Sequence, residues 1–260
     1  MHPEAFQIGN FTLHWYGVAV ALGFALGLWL AARRGLREGL RPEWIADLGV
    51  PLILGTVVGA RTLYVLTYWR TQFAPVPLWH VLAVWEGGLV FYGGLVGASA
   101  AGLGYIFLRG WPLWKLCDAL APSVALGFAV GRLGCLMNGC CYGSACELPW
   151  AVHFPDDHKT AGLGVHPTQL YDFAWAFALY AALAWGYRRK KFDGQIFALY
   201  LAGYAGLRSA FEIFRGDYTT ERFGFFTPAQ VFSLGVITAA AVLYFTLQRR
   251  SRLAKLPPVV

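Results

Sequence analysis

Gly131-Arg132-Leu133-Gly134-Cys135-Leu136-Met137-Asn138-Gly139-Cys140-Cys141-Tyr142-Gly143 follows the apolar run Ala119–Val130 and puts an arginine at the end of a hydrophobic segment. The thirteen residues also hold four glycines, one asparagine and three cysteines. A guanidinium in or at the edge of hydrocarbon costs at least ~2.5 kcal/mol on insertion scales, so it normally has a partner or a job. The glycines predict an irregular backbone just beyond the arginine. At membrane depth such backbone survives only where it is buried in protein or lines a cavity.

The rest of the chain is built around segments of the same kind. Of 260 residues 57% are hydrophobic and only 13% are charged, against about 25% charged in an ordinary soluble domain. Eleven Trp, 13 Tyr and 19 Phe exceed what a soluble core needs. The composition predicts an all-α integral membrane protein, one bundle formed by residues 1–260 with no separate soluble domain. The net charge of +7 does not point to nucleic acid, because the excess sits in short clusters flanking apolar runs. No basic residue precedes the first run and no small-x-small site closely follows it, so no cleaved signal peptide is expected. No internal repeat, low-complexity tract or lipidation motif stands out.

Seven runs are long enough to span ~30 Å of hydrocarbon at about 1.5 Å per residue. They cover about 13–32, 45–68, 87–108, 116–137, 167–187, 194–214 and 228–247. Alternate connections, beginning with the one that holds Arg33, Arg34, Arg37 and Arg41, carry 14 of the 21 basic residues. The opposite connections, 69–86, 138–165 and 215–227, carry only Arg70, Lys159, Arg215 and Arg222. This bias places the N-terminus outside and the C-terminus in the cytoplasm. Trp15, Trp44, Trp69, Trp79, Trp111 and Trp114 lie at span ends, as interface anchors do.

Arg61, Arg132 and Arg208 lie inside apolar runs, all in the outer half under this topology. Three cations at similar depth repel one another unless an anion sits between them. Glu212 follows Arg208 by four residues, on the same helical face, and can orient it. One carboxylate cannot neutralise three guanidinium groups, whereas a phosphate accepts their planar fork of donors. Separate arginines bonded to backbone carbonyls are the alternative. Other polar residues gather on the same side: His14-Trp15-Tyr16-Gly17 opens the first run and His166-Pro167-Thr168-Gln169-Leu170-Tyr171-Asp172 opens the fifth. Gly93 and Gly97 make a small-xxx-small spacing that permits close helix contact.

Cys135, Cys140, Cys141 and Cys146 fall within twelve residues, with His153 and His166 downstream. The spacing is not a pair of C-x-x-C units, and the expected outer location favours disulfides over metal thiolates. No metal is expected. Packing thiols and a disulfide among Cys140, Cys141 and Cys146 both remain open.

Taken in order, six segments resemble the prolipoprotein diacylglyceryl transferase family over nearly the whole chain. They are His14-Trp15-Tyr16-Gly17; Gly59-Ala60-Arg61; Gly87-Gly88-Leu89-Val90-Phe91-Tyr92-Gly93-Gly94-Leu95; Gly131-Arg132-Leu133-Gly134 with Asn138-Gly139; His166-Pro167-Thr168-Gln169-Leu170-Tyr171; and Tyr204-x-x-x-Arg208-x-x-x-Glu212-x-x-Arg215. The resemblance implies a multi-pass enzyme of the bacterial inner membrane with its active site towards the periplasmic side. Such an enzyme moves the diacylglyceryl group of phosphatidylglycerol to the thiol of a lipobox cysteine in a prolipoprotein signal peptide. The products are a thioether and glycerol phosphate, and no cofactor is implied.

Carried onto this chain, the resemblance makes Arg132 and Arg208 ligands of the lipid phosphate. Tyr16, Asn138, Gly143 and Tyr204 shape the headgroup site, with Arg61 and His166 beside it and Glu212 orienting Arg208. The chain departs from the pattern in three places. Tyr92 stands where many members have a histidine proposed as the base, and Cys135 and Cys140 stand where many have Asn and Glu. A tyrosine with an ordinary pKa near ~10 is a poor base at neutral pH. Tyr92 is therefore expected to orient lipid or thiol while the arginine field supplies most of the activation. A non-catalytic phospholipid-binding scaffold of the same family is the runner-up. A transporter is third, disfavoured because the halves show no repeat symmetry.

Overall fold

The computed structural model describes residues 4–8, 11–74, 76–212 and 227–254. Among them are seven α-helices: α1 (Trp15–Gly35), α2 (Pro42–Tyr68), α3 (Phe91–Arg109), α4 (Leu113–Met137), α5 (Thr168–Tyr187), α6 (Gln195–Phe211) and α7 (Pro228–Leu253). Five of these segments are long and apolar enough to cross a membrane: Trp15–Glu38, Pro42–Phe73, Phe91–Arg109, Leu113–Met137 and Pro228–Leu253. Their outward faces are apolar too: Leu108 is 87% exposed and Phe232 is 69% exposed, which suits lipid rather than water. The protein is thus a multi-pass, all-α membrane protein. The two helices outside that set, α5 and α6, are those that carry Gln169, Asp172, Tyr200, Tyr204 and Arg208.

The chain forms two compact units, Met1–Ala31 with Cys117–Val260, and Ala32–Leu116. In the second, α2 and α3 pack through glycines. A Cβ built on Gly59 or Gly93 would collide with the carbonyl of the other, and one on Gly97 would collide with the carbonyl of Gly55. The expected small-xxx-small motif Gly93–Gly97 therefore has a matching partner, Gly55–Gly59, on α2. Helix α3 begins at Phe91, four residues later than the apolar run, because Gly87 and Gly88 adopt φ of +85° and +70°. A side chain at Gly88 would also strike the Tyr64 ring. At the other end of this unit Trp44 stacks on Trp111, with ring centroids 5.2 Å apart.

In the first unit a β-hairpin, β1 (Glu4–Ile8) with β2 (Phe11–His14), precedes α1. Helix α1 lies along α4 with small residues facing: Gly23 meets Gly127, Gly27 meets Ser123, and Gly134 meets Tyr16 and Ala19. Numbers that rise on one helix as they fall on the other define an antiparallel pair. Asp118, fully buried on α4, accepts hydrogen bonds from the backbone nitrogens of Gly194 (2.8 Å) and Phe197 (2.9 Å) and pairs with Lys190 at 2.9 Å. One carboxylate thereby fixes the turn between α5 and α6. Helix α7 opens on a capping box in which Thr227 and Gln230 exchange side-chain and backbone bonds, with Pro228 at its first position. It runs to Leu253, past the apolar run, with Arg250 and Arg252 in its last turn.

The connection 138–165 is an ordered cap. Strands β3 (Val152–His153) and β4 (Gly164–Val165) pair antiparallel, and Cys146 donates to the Gly164 carbonyl at 2.9 Å. His158 Nε2 lies 2.7 Å from the Gly139 carbonyl oxygen, and its ring stacks on Phe154. The connection 215–227, with Arg215 and Arg222, lies outside the described residues except for Thr227, as does Lys255.

Candidate active site

Arg132 sits in the last turns of α4, and its Nε pairs with Asp172 Oδ2 of α5 at 3.1 Å. The two side chains are 13% and 10% exposed, so the pair lies mostly out of solvent. The other oxygen, Asp172 Oδ1, accepts from Trp175 Nε1 at 2.9 Å. The guanidinium lies 4.7 Å from the Phe128 ring centroid. Phe128 in turn meets Trp175 at 5.4 Å and the edge of Tyr204 at 5.5 Å. Arg132 is thus held from one side by a carboxylate and from beneath by an aromatic floor. That floor belongs to the core cluster of Ala129, Trp175 and Ala176, packed against Phe128, Phe173, Leu179, Tyr204, Leu207 and Phe211.

The same cluster receives the second arginine's helix. Tyr204, one turn before Arg208, packs on Trp175 at 5.7 Å, and Phe211, three residues after it, stacks on the same ring at 6.3 Å. Arg208 Nη1 pairs with Glu212 Oε2, the i,i+4 contact expected from the spacing. Trp175 therefore joins the helices of both arginines.

Several other residues named from the sequence lie near Arg132 and are tied there by short links. Tyr16 packs against Gly134, and its hydroxyl is within electrostatic range of Arg132, Cys135, Cys140 and Cys141. Asn138, just past the end of α4, has its side chain within interaction range of the Cys140 thiol. Gly143 donates to the His166 carbonyl at 2.9 Å, and His166 Nδ1 lies 3.3 Å from the Tyr171 hydroxyl. Thr168 Oγ1 donates to the Cys141 carbonyl at 2.6 Å, and Gln169 Nε2 to that of Cys140 at 2.7 Å. The N-terminus of α5 thus ties down the glycine-cysteine backbone after Arg132. None of the five cysteines is in a disulfide, so the pairing left open among Cys140, Cys141 and Cys146 is not formed. The Cys140 thiol sits above its ordinary pKa: its bond with Cys135 pulls it down, but the bond with Cys141, burial and the adjacent sulfur outweigh that, and it is protonated at neutral pH.

The two remaining predicted residues belong to the other unit. Arg61 has its donors on the loop before α3: Nε to the Val81 carbonyl at 2.9 Å, Nη1 to that of Gly87 at 2.7 Å, and Nη2 to that of His80. This is the carbonyl-bonded alternative left open for the in-span arginines. Tyr92, on the first turn of α3, is 66% exposed and meets Phe91 edge-on at 5.8 Å.

Sequence reasoning missed Asp172 as the partner of Arg132, and Trp175 with it. The signal was present: an acid inside an apolar run costs as much as an arginine, and two such charges call for each other. Trp175 stands three residues on, the spacing that lets its indole N–H reach the same carboxylate.

Apolar helices long enough to cross a membrane, with two guanidinium groups each held by a carboxylate, define a multi-pass membrane protein. The sequence model of the family described as prolipoprotein diacylglyceryl transferase matches residues 3–246. The chain belongs to this family. Similar proteins named phosphatidylglycerol–prolipoprotein diacylglyceryl transferase come from Bacillus licheniformis (36% identical, covering 94% of this chain and 91% of the relative) and Gloeobacter violaceus (34%, 98% and 96%). One from Vibrio vulnificus is 37% identical over 93% of this chain and 89% of its own length.

Proposed function

We propose that this chain transfers the diacylglyceryl group of phosphatidylglycerol to the thiol of a lipobox cysteine in prolipoprotein signal peptides. The observation that carries the reading is Arg132, fixed by Asp172 and floored by Phe128, on a cluster that also seats the helix of Arg208. The product thioether requires that the thiolate sulfur attack the glycerol carbon bearing the phosphate. The carbon–oxygen bond breaks, the electron pair leaves with the phosphate as glycerol phosphate, and the thiol proton goes to a base or to solvent. Negative charge grows on the phosphate oxygens, and preorganised cations stabilise it.

Arg132 and Arg208 are the residues assigned to that charge. Asp172 and Glu212 are positioning residues that hold the two guanidinium groups. Tyr16, Asn138, Gly143, Tyr204 and His166 line the headgroup site. Arg61 contributes through the segment it holds, since Gly87 and Gly88 lead directly into Phe91 and Tyr92. The Tyr92 hydroxyl orients lipid or thiol.

Residues 1–260 act as one transferase domain of seven spans in the bacterial inner membrane, N-terminus outside, with the site towards the periplasmic side. The basic-residue bias supports this orientation. The antiparallel run of α1 against α4 is consistent with alternating spans, because a first and a fourth span must point in opposite directions.

The test is reconstitution of the full chain with phosphatidylglycerol and a synthetic lipobox peptide, followed by peptide mass. A diacylglyceryl increment that requires phosphatidylglycerol and the peptide's cysteine is the expected result. Bound phosphatidylglycerol with no increment would instead make the chain a lipid-binding scaffold.

A further inference from the structure

Three thiols beside Arg132 have no part in the transfer chemistry, yet they are gathered. Cys135 lies on α4, and Cys140 and Cys141 lie in the turn beyond it. Their sulfurs all lie within 4.8 Å of one another. Cys140 Sγ and Cys141 Sγ are 3.8 Å apart. Thiolates bound to a tetrahedral zinc ion at about 2.3 Å stand about 3.8 Å from one another, so the Cys140–Cys141 separation already matches a ligand shell and the Cys135 sulfur is within about 1 Å of that spacing.

The backbone is held for this arrangement. Cys141 has φ +62°, a left-handed conformation that costs a non-glycine residue about 1 kcal/mol or more. Thr168 and Gln169 offset that cost by bonding the carbonyls of Cys141 and Cys140. The Asn138 side chain lies within interaction range of the Cys140 thiol, where an outer contact can orient a metal ligand. Gln169 is fully buried, and its Oε1 is the buried side-chain oxygen that lacks a hydrogen-bond partner among the described residues. An unpaired polar atom therefore sits on the side chain that ties down the thiol turn.

We propose that Cys135, Cys140 and Cys141 form a three-thiolate site for a soft divalent d10 cation, zinc in the first instance. Sulfur donors select such ions over magnesium or calcium. Binding forms three metal–sulfur bonds, releases three thiol protons to solvent and involves no change of oxidation state. The loaded site carries one net negative charge, with Arg132 in the same electrostatic neighbourhood around Tyr16. The proposal stands apart from the transferase reading and survives or fails without any activity measurement.

The probe is cadmium ion, titrated into the reduced full chain in detergent. One equivalent is expected to raise a cadmium–thiolate charge-transfer band and to shield three of the five thiols from N-ethylmaleimide, read by intact mass. Joint Cys117→Ser and Cys146→Ser substitution leaves both signals intact, whereas Cys140→Ser weakens binding at least ~10-fold. Five thiols alkylated equally fast with and without cadmium would overturn the proposal. So would a band that persists after Cys135, Cys140 and Cys141 are all replaced by serine, or a disulfide within the cluster that resists reduction. The shielding measurement uses the unsubstituted chain and does not depend on any variant folding.

Discussion

Arg61 and Arg132 both interrupt apolar helices, and their donors go to different places. Arg61 is only 7% exposed, and its Nε, Nη1 and Nη2 all bond backbone carbonyls of one loop. It does for that loop what a helix cap does for a helix end, satisfying oxygens that hydrocarbon would leave orphaned. Arg132 gives Nε to a carboxylate and lies on an aromatic ring. A side chain fixed at one edge and on one face is positioned the way ligand-binding arginines are. Position in an apolar run thus does not tell an arginine that holds backbone from one that faces a carboxylate. The identity of the acceptors does.

That contrast can be broken at either end. Replacing Arg132 with lysine keeps the charge but loses the planar fork. It is expected to cut the transfer rate by about 100-fold or more, by analogy with loss of one transition-state donor. The peptide-mass assay reads this, and a drop of less than tenfold would remove Arg132 from the charge-stabilising role. Arg61→Ala should act on stability instead. Losing the four part-buried bonds to the Val81, Gly87, Gly88 and His80 carbonyls is expected to cost about 4 kcal/mol at about 1 kcal/mol each, seen as a lower unfolding temperature in detergent. The folded fraction should keep a rate within about threefold of the parent. A stable Arg61→Ala protein with a collapsed rate would move Arg61 into the headgroup site.

Smaller changes sharpen the same line. Asp172→Asn keeps the shape and the Trp175 bond but removes the charge opposite Arg132. A rate loss of about tenfold is expected with the affinity for phosphatidylglycerol changed less, since the guanidinium is still present but less firmly held. Tyr92→Phe removes one neutral hydroxyl, worth about 1 kcal/mol or roughly fivefold in rate. Undiminished transfer by that variant would end any catalytic role for Tyr92.

Much of the fold was legible because a span has to be apolar over about twenty residues, and that pattern survives without context. Helix starts were less legible: Gly87–Val90 are apolar, but Gly87 and Gly88 hold positive φ, and Gly88 also lies against the Tyr64 ring, a contact no local pattern records. The hairpin Glu4–His14 and the short strands of the cap carry too few residues for any period to show. At the site, Arg132, Arg208 and Glu212 announced themselves as charges among apolar residues. Asp172 carries the same signal, masked by a motif that also offers His166, Gln169 and Tyr171. Its partner stands 40 residues earlier in the chain, and pairing at that separation is fixed by helix packing that no local pattern records.

The most direct test of the central claim, that Asp172 acts by holding Arg132 for the lipid phosphate, is a double-mutant cycle on the transfer rate. Asp172→Asn is measured in the parent and in the Arg132→Lys background. The account predicts about a tenfold loss in the first and almost none in the second. Equal losses in both backgrounds would contradict it.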